Sequence, residues 1–376
     1  RIQIIDKDRY AFDMGSRGHF WRYVQSATQK GDSLQVSVVV GAHPVFYLLA
    51  ASSIENEYSI AATLIDATFT DGITNHVPIP SETEIVIEAE VVPNEYYHEG
   101  PCAEFTGYMA ARTAGGVAKV KAILRRARPI YYDIQPSNSY EHIGLFTTPR
   151  NAKISKMMAE VLPTGTKYKI EWPLISATSL ALCSLRDPEP GIAKQAGLAL
   201  LALNALLSKV VMVNEGDCEL ELETFLANLS VTGARNGENV HVITDVFAIK
   251  LDPTTTCNGT NAKIIIVTTN AGVGYRKLVM TDRVRLVSGN AEVVISRKPT
   301  TEGRINVIVG DDIDLQNSNE IVWALSTRLR PDKDVIFGEN GRIVFDTTRL
   351  TEKLEVPSLP KDVVERIANK LRRVDR

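Results

Sequence analysis

The sequence predicts a mixed α/β protein, with a β-rich first part and a second part in which strands and helices alternate. Turn residues separate strand-like runs in residues 1–128, namely 33–40, 59–65, 84–92 and 117–124. Only two segments there have helical spacing, 20–27 and 44–51. The second part alternates helix-like and strand-like segments, namely 151–162, 168–172, 191–208 and 210–213. That order is typical of βαβ units around a mainly parallel sheet.

Composition and charge exclude several classes of protein. The formal net charge is −3 and the basic residues are scattered, so the sequence does not predict nucleic-acid binding. The most apolar run, 196–207, is shorter than the roughly 20 residues that a membrane-spanning helix needs, and we expect a buried helix there. The four cysteines are far apart and form no C-x-x-C pair. This spacing predicts neither zinc nor disulfides and favours a reducing cytoplasm.

One stretch, 99–108, has the residue types of an acid catalyst. Glu99 and Glu104 lie on either side of a Gly-Pro pair, directly after the strand-like run 84–92. In an unbroken strand the two carboxylates would point to opposite faces. Gly and Pro favour a bend, however, which can return Glu104 to the side of Glu99. Two carboxylates in one apolar cavity resist double ionisation, so one can stay protonated and act as a general acid. The alternative is a hairpin corner with two solvated glutamates.

The motif at 99–108 reads Glu-Gly-Pro-x-x-Glu-x-Thr-Gly-Tyr and is preceded by Glu-Ile-Val-Ile-Glu at 84–88. It resembles the signature of the UbiD family of reversible decarboxylases, which use prenylated FMN. The resemblance implies a catalytic trio of Arg1, Glu99 and Glu104. Arg1 matches through Arg1-Ile2-Gln3, which resembles the family's Arg-x-Gln.

The resemblance also implies a flavin site and a divalent metal on the flavin phosphate, Mn²⁺ or Mg²⁺, with K⁺ as a further candidate. The glutamate of a Ser-Glu-Tyr-like segment matches Glu57 as a metal ligand, and Ser16 lies where the family has a metal-binding histidine. His19, three residues later, is the alternative ligand, although a lone histidine before an aromatic helix is more often a packing or surface residue. The implied cofactor-binding residues are Arg1, Gln3, Ser16, Arg17, Gly18, His19 and Pro101.

Two domains follow from the resemblance. Residues 1–128 correspond to a split β-barrel that binds prenylated FMN, and 129–376 to a C-terminal α/β domain that forms oligomers. Because the family carries an α/β domain and a metal-binding asparagine before the position of Arg1, we expect further sequence upstream. A strand, acidic turn and helix near 210–217 recur near 306–325, which predicts an insertion or duplication around 214–304.

The predicted function is non-oxidative decarboxylation of an α,β-unsaturated or aromatic carboxylic acid. The loop 133–139 does not match the family's substrate loop, so substrate choice is open. Two alternatives remain. A turn with Asp311, Asp312 and Asp314 would suit a metal-dependent glycosyltransferase, and a non-catalytic subunit of a UbiD-like complex is the other.

The C-terminal segment carries an apolar stripe at one helical face: Val363, Val364, Ile367 and Leu371. An unpaired stripe of this kind needs a partner surface. In the family the C-terminal helix packs on a neighbouring subunit. We therefore expect a homodimer or a larger homo-oligomer.

Overall fold

The structure is a computed structural model. It describes residues 2–13, 18–52, 54, 56–204, 207–270, 272 and 274–349, with five single residues between 362 and 369. The side chains of 99 and 110–114 are not described. The C-terminal stripe therefore lies largely outside the described residues.

Regular elements follow one another along the described chain. The strands of the first part are β1 (Ile2–Ile4), β2 (Arg9–Phe12), β3 (Leu34–Val40), β4 (Phe69–Asp71), β5 (Pro78–Pro80), β6 (Ile85–Ala103) and β7 (Met109–Arg125). Those of the second part are β8 (Lys167–Glu171), β9 (Leu180–Arg186), β10 (Val210–Glu215), β11 (Val240–Phe247), β12 (Thr260–Thr269), β13 (Arg276–Val279), β14 (Arg283–Ser288), β15 (Ala291–Ser296), β16 (Ile305–Ile308), β17 (Val335–Phe337) and β18 (Ile343–Asp346). The helices are α1 (His19–Lys30), α2 (Pro44–Ser52), α3 (Glu57–Ile65), α4 (Tyr140–Val161), α5 (Ile192–Leu203), α6 (Leu222–Thr232), α7 (Ser318–Thr327) and α8 (Pro331–Asp334), with 3₁₀ turns at Leu174–Ser176 and Glu339–Gly341.

The first sheet is antiparallel and has the strand order β1-β2-β7-β6-β3. Its centre is the long β6–β7 hairpin, whose register runs from Ile85 opposite Arg125 to Ala103 opposite Met109. Helix α1 packs on this sheet through Val24, which joins a core with Tyr10, Ala89 and Val91. Among the described residues the sheet stays open and does not close into a barrel.

The second part contains two mixed sheets. Their strand orders are β11-β12-β10-β9-β8 and β13-β14-β15-β16-β18-β17. Parallel pairing is confined to the three central strands of each sheet, and the outer strands pair antiparallel. Helix α6 contacts both sheets and shares their common core with α7, whereas α5 and α4 cover the opposite face of the first of them.

These sheets confirm the predicted mixed α/β class. Most predicted elements are present, including the buried helix in 196–207, which α5 provides. The predicted strand 59–65 is wrong, because α3 occupies that position. Its β-branched residues favour a strand locally, but Asn56 turns the chain with a φ of 63°, and Tyr58 then packs on Phe46 of α2. Tertiary packing thus overrides the local preference.

Two strand–turn–helix units occupy equivalent places in the two mixed sheets. β10 leads to α6 and β16 leads to α7, and each strand lies between two parallel neighbours. Residues 214–304 supply β11 to β15, so they contribute strands to both sheets. Their origin by insertion or duplication stays a prediction, as does the domain boundary at 128.

Candidate active site

The β6–β7 hairpin ends in a five-residue tip, Glu104–Tyr108, which carries one of the predicted catalytic acids. The strand before it is continuous but irregular, with register shifts on both sides of Glu99, and Gly100 has a φ of 100°. The predicted bend is therefore a bulged strand rather than an interruption. Such shifts change which face the following side chains take.

Glu104 is buried within the tip, with 5% of its surface exposed. Its N–H donates to the carbonyl of Tyr108 at 3.0 Å, and its own carbonyl accepts from the N–H of Gly107 at 2.9 Å. The alternative of a solvated hairpin corner is thus wrong for Glu104. A carboxyl group that is held in place inside a packed turn can take part in proton transfer in a catalytic site.

Helix α7 and the turn before it hold one side of the tip through Trp323, Arg328 and Asp312, a set we call the α7 clamp. The indole N–H of Trp323 donates to the carbonyl of Thr106 at 2.9 Å, and its ring stacks on Tyr108 with centroids 5.7 Å apart. Arg328 Nε donates to the Tyr108 hydroxyl at 2.9 Å, while its two Nη atoms donate to Asp312 at 2.9 and 2.5 Å. Burial raises the pKa of Tyr108, so this phenol stays neutral.

Helix α4 holds the other side of the tip through Phe105. The Phe105 ring stacks on Phe146 with centroids 5.0 Å apart and meets His142 edge-on at 6.4 Å. His142 Nδ1 lies 3.1 Å from the carbonyl of Ser137, so the loop before α4 is part of the same neighbourhood. Glu104 therefore precedes a segment that is packed between two helices.

The other two members of the predicted catalytic trio are only partly visible. Glu99 lies on β6 opposite Arg112 of β7, and its side chain is outside the described residues. Arg1 also lies outside them. Their roles stay predictions.

The predicted flavin-binding residues are spread around the N-terminal strands and α1. Gln3 lies on β1 opposite Ala11 and is half-buried, whereas its neighbours Ile2 and Ile4 are exposed. Pro101 is exposed and follows Gly100 through a cis peptide bond. Ser16 and Arg17 lie outside the described residues.

Gly18 and His19 form the beginning of α1. Gly18 is its N-cap residue and provides no side-chain cap, and the first turn contains no acidic residue. His19 is the first helical residue and is exposed. Such a helix start presents backbone N–H groups and a partial positive charge to an anion.

Glu57, the predicted metal ligand, is the first residue of α3 and is half-buried. Across the part of the chain that the structure describes, no three His, Cys, Asp or Glu side chains come together as a metal-binding group. Glu57 and His19 therefore do not make a metal site by themselves.

The acidic turn between β16 and α7 does not form a cation site either. Both Asp312 oxygens accept from Arg328, and Asp314 accepts from the N–H of Gln316 at 2.9 Å. Asp311 has a 99% exposed side chain. Asp312 and Asp314 thus stabilise local structure, and the three aspartates do not come together as a metal-binding group, which argues against the glycosyltransferase alternative.

Sequence reasoning missed the α7 clamp and a buried lysine beneath it. Lys209 is fully buried, and its ammonium donates to the carbonyl of Thr327 at the end of α7. These contacts join positions far apart in the chain, and no local spacing indicates them. The sequence shows only that Trp323 and Arg328 lie close together in and at the end of an apolar helix.

Two expectations about other site types can be compared with the structure. All four cysteines are free thiols in the structure. Within the described ranges, no helix combines the length and the apolar character that crossing a bilayer requires.

Two family models match the chain. The Rift-related domain of 3-octaprenyl-4-hydroxybenzoate carboxy-lyase matches residues 1–139, and the C-terminal domain of the same family matches 293–349. The two matches contain every predicted site residue and the α7 clamp.

Curated relatives are similar over most of the chain. An anhydromevalonate phosphate decarboxylase of Methanosarcina mazei is 25% identical over 267 residues, which cover 70% of this chain and 62% of the relative. A phenolic acid decarboxylase of Sedimentibacter hydroxybenzoicus is 26% identical over 282 residues, covering 71% of this chain and 57% of the relative. The chain thus spans about three fifths of the length of these relatives.

Solved structures have the same fold. The UbiD-class enzyme HmfF from Pelotomaculum thermopropionicum, in complex with FMN, superposes with a TM-score of 0.65 at 25% identity, covering 71% of this chain and 60% of that one. Apo 3,4-dihydroxybenzoic acid decarboxylase (AroY) of Klebsiella pneumoniae gives 0.64 at 21% identity, with coverage of 71% and 60%. The second likeness shows the fold alone.

Proposed function

Because the chain belongs to the UbiD family, we propose that it catalyses the non-oxidative, reversible decarboxylation of an α,β-unsaturated or aromatic carboxylic acid with prenylated FMN. HmfF, which binds FMN, and the two decarboxylases described above support this proposal. The alternative function is that of a non-catalytic subunit of a UbiD-like complex, and such a subunit would carry no flavin after purification.

The observation that carries the proposal is the buried Glu104 at the hairpin tip. It is the second acid of the family motif, and its main chain is fixed by two hydrogen bonds within the tip. In the proposed reaction Glu104 donates the proton that replaces CO₂, Arg1 orients the substrate carboxylate, and Glu99 pairs with Arg1. When bound, the prenylated flavin supplies the electron sink for the electron pair that CO₂ leaves behind.

Two features of the described residues fit a flavin phosphate and its ring. The α1 N-terminus at Gly18 and His19 has no side-chain cap and no acidic residue in its first turn, and the backbone N–H groups at such a helix start suit a phosphate. Gln3 has a polar side chain on the less exposed face of β1, whereas both isoleucines are more exposed, the reverse of an ordinary surface strand. Gln3 is thus available to a polar group of the cofactor, together with Arg1, Ser16, Arg17 and Pro101.

The described residues do not complete a metal site. Glu57 and His19 supply two ligands of the kind that Mn²⁺ or Mg²⁺ accepts, but the described residues provide no third. No catalytic step is therefore assigned to a metal.

The substrate's polar group has candidate partners in the loop before α4. Ser137 and Asn138 are 2% and 8% exposed, and their side-chain oxygens have no hydrogen-bond partner among the described residues. Buried oxygens of this kind are costly unless a ligand or water pairs with them. A hydroxylated or otherwise polar acid would satisfy them.

The variant Glu104→Gln tests the proposal directly. Its amide keeps the shape of the side chain but delivers no proton, so turnover should fall at least about 100-fold while flavin remains bound. Decarboxylation is measured as CO₂ release, and bound cofactor by its absorption spectrum. Glu95→Gln is the matched control, because Glu95 lies on the same strand and pairs with Arg9 at the surface. Near-normal turnover by Glu104→Gln would exclude Glu104 as the donor.

A further inference from the structure

The contacts of the hairpin tip differ in kind from those of an ordinary turn. The two hydrogen bonds within the tip involve the N–H and the carbonyl of Glu104. They hold Glu104 relative to the rest of the tip, but they do not hold the tip relative to the rest of the protein. The external backbone contact comes from Trp323, which is 217 positions away and donates to Thr106. The orientation of Glu104 therefore depends on a residue of the second part.

Trp323 contacts the tip at close range because residue 107 is a glycine. A Cβ built on Gly107 would lie 3.1 Å from the indole ring, and the residue has a φ of 84°. The indole thus lies directly against backbone, next to its hydrogen bond with Thr106. This contact transmits any displacement of α7 to the tip.

Arg328 fixes Trp323 and Tyr108 in turn. Its guanidinium carbon lies 4.8 Å from the centroid of the Trp323 ring, and its side chain has no exposed surface. All three of its nitrogens are engaged, Nε with Tyr108 and the Nη pair with Asp312. A planar guanidinium with this fork geometry holds its partners more rigidly than an ammonium would.

We propose that the α7 clamp aligns Glu104 for proton transfer, so that Trp323 and Arg328 are positioning residues of the reaction. This inference rests on the proposed role of Glu104 as the proton donor. Proton transfer requires close alignment, and a displacement of about 1 Å can cost about 100-fold in rate. The hydrogen bonds of the clamp go to the tip that carries the acid, and none goes to Ser137 or Asn138, the candidate partners of the substrate. Loss of the clamp should therefore lower kcat more than it raises KM.

The test uses Trp323→Phe, which keeps an aromatic ring for Tyr108 but removes the indole N–H that donates to the Thr106 carbonyl, together with the part of the indole that lies against Gly107. The control is Ile321→Val. Ile321 is also a buried residue of α7, but residues two apart on a helix face different directions. Trp323→Phe removes more buried volume than Ile321→Val, so the free energy of unfolding of both variants is measured and the exchange rates are corrected for it.

The first measurement is hydrogen–deuterium exchange of the chain without cofactor, read at the amides of Glu104 and Gly107. Exchange there should be at least about 10-fold faster in Trp323→Phe than in Ile321→Val, because the tip hydrogen bonds open more often. Equal exchange in the two variants would overturn the proposal. This result does not depend on catalysis.

The second measurement is steady-state decarboxylation by the flavin-loaded enzyme. Trp323→Phe should lower kcat about 10- to 100-fold with KM within about 3-fold of the parent, whereas Ile321→Val should keep both. An unchanged kcat, or an increase in KM alone, would overturn the positioning role. If the parent itself released no CO₂, the proposed function would fail while the exchange result on the tip still stood.

Discussion

Replacing Lys209 with methionine should strongly destabilise the second part of the protein. The Lys209 ammonium is completely buried and donates to Asp252 and Thr254 at 3.2 Å each and to the carbonyl of Thr327 at 3.1 Å. Burial lowers the pKa of Lys209, and the Asp252 carboxylate opposes that shift. Methionine has a similar length and no charge, so the change tests the charge and its hydrogen bonds.

The magnitude follows from what the substitution leaves behind. Asp252 keeps neutral donors, the N–H of Thr254 at 2.9 Å and Asn261 Nδ2 at 3.0 Å, but it loses its ammonium partner. The carbonyl of Thr327 loses a donor as well. Removing one member of a buried ion pair costs about 3–5 kcal/mol. Most of that cost is an uncompensated charge, so Lys209→Met combined with Asp252→Asn should regain at least about 2 kcal/mol.

Urea unfolding followed by tryptophan fluorescence measures both variants. Trp172 and Trp323 report on the second part, because they are 6% and 1% exposed in its core. The free energy of unfolding is compared among the parent, the single variant and the double variant. A loss below about 1 kcal/mol for Lys209→Met, or a double variant no more stable than the single one, would refute the reasoning.

Three further predictions concern other parts of the molecule. Burial lowers the pKa of Lys263 to about 8 from its usual 10.5, so between these pH values the unfolded chain holds a proton that the folded chain has lost. The free energy of unfolding should therefore rise between about pH 8 and 10.5, and it should rise more in the parent than in Lys263→Met. Equal slopes in the two proteins would contradict this. Gly107→Ala should destabilise the tip by at least about 1 kcal/mol and slow turnover, since the φ of Gly107 is 84° and the new Cβ meets Trp323. The control is Gly144→Ala in α4, where a Cβ has open space, and it should be neutral or stabilising in thermal unfolding. The C-terminal stripe predicts at least a homodimer, and light scattering that finds only monomer at micromolar concentration would count against it.

The sequence was most informative where a single segment carries both the structure and the chemistry. The acidic motif, the strand before it and the family could be predicted from adjacent residues, because strand alternation is a local property, whereas the bend expected at Gly-Pro is a bulge within the continuous strand β6. Glu104 therefore lies where the motif predicts, at the end of β6. The helix α3 shows the limit of this reasoning, since its β-branched residues Ile60, Thr63 and Ile65 favour a strand until packing on α2 is known.

What the sequence could not predict depends on contacts between distant residues. Arginine is a residue type that usually lies at the surface, and Arg328 is buried because it pairs with Asp312 and with Tyr108, which lies 220 residues earlier. Lys209 is similar, because its partner Asp252 follows it after two strands and a helix. Polar residues of this kind are energetically acceptable only once all their partners are present, so their burial cannot be read from spacing.

The contact between the tip and α7 also affects when the site can form during synthesis. The carbonyl of Thr106 lies 217 residues before the tryptophan that pairs with it, so the hairpin emerges from the ribosome long before its support. At about 5–20 residues per second, that interval is on the order of 10 to 40 seconds. During it Tyr108 has no Trp323 ring to stack on, and the Thr106 carbonyl has no indole N–H to accept from. A nascent chain halted before Trp323 should therefore expose its acid tip to proteases, and its cleavage there should stop once translation passes Arg328.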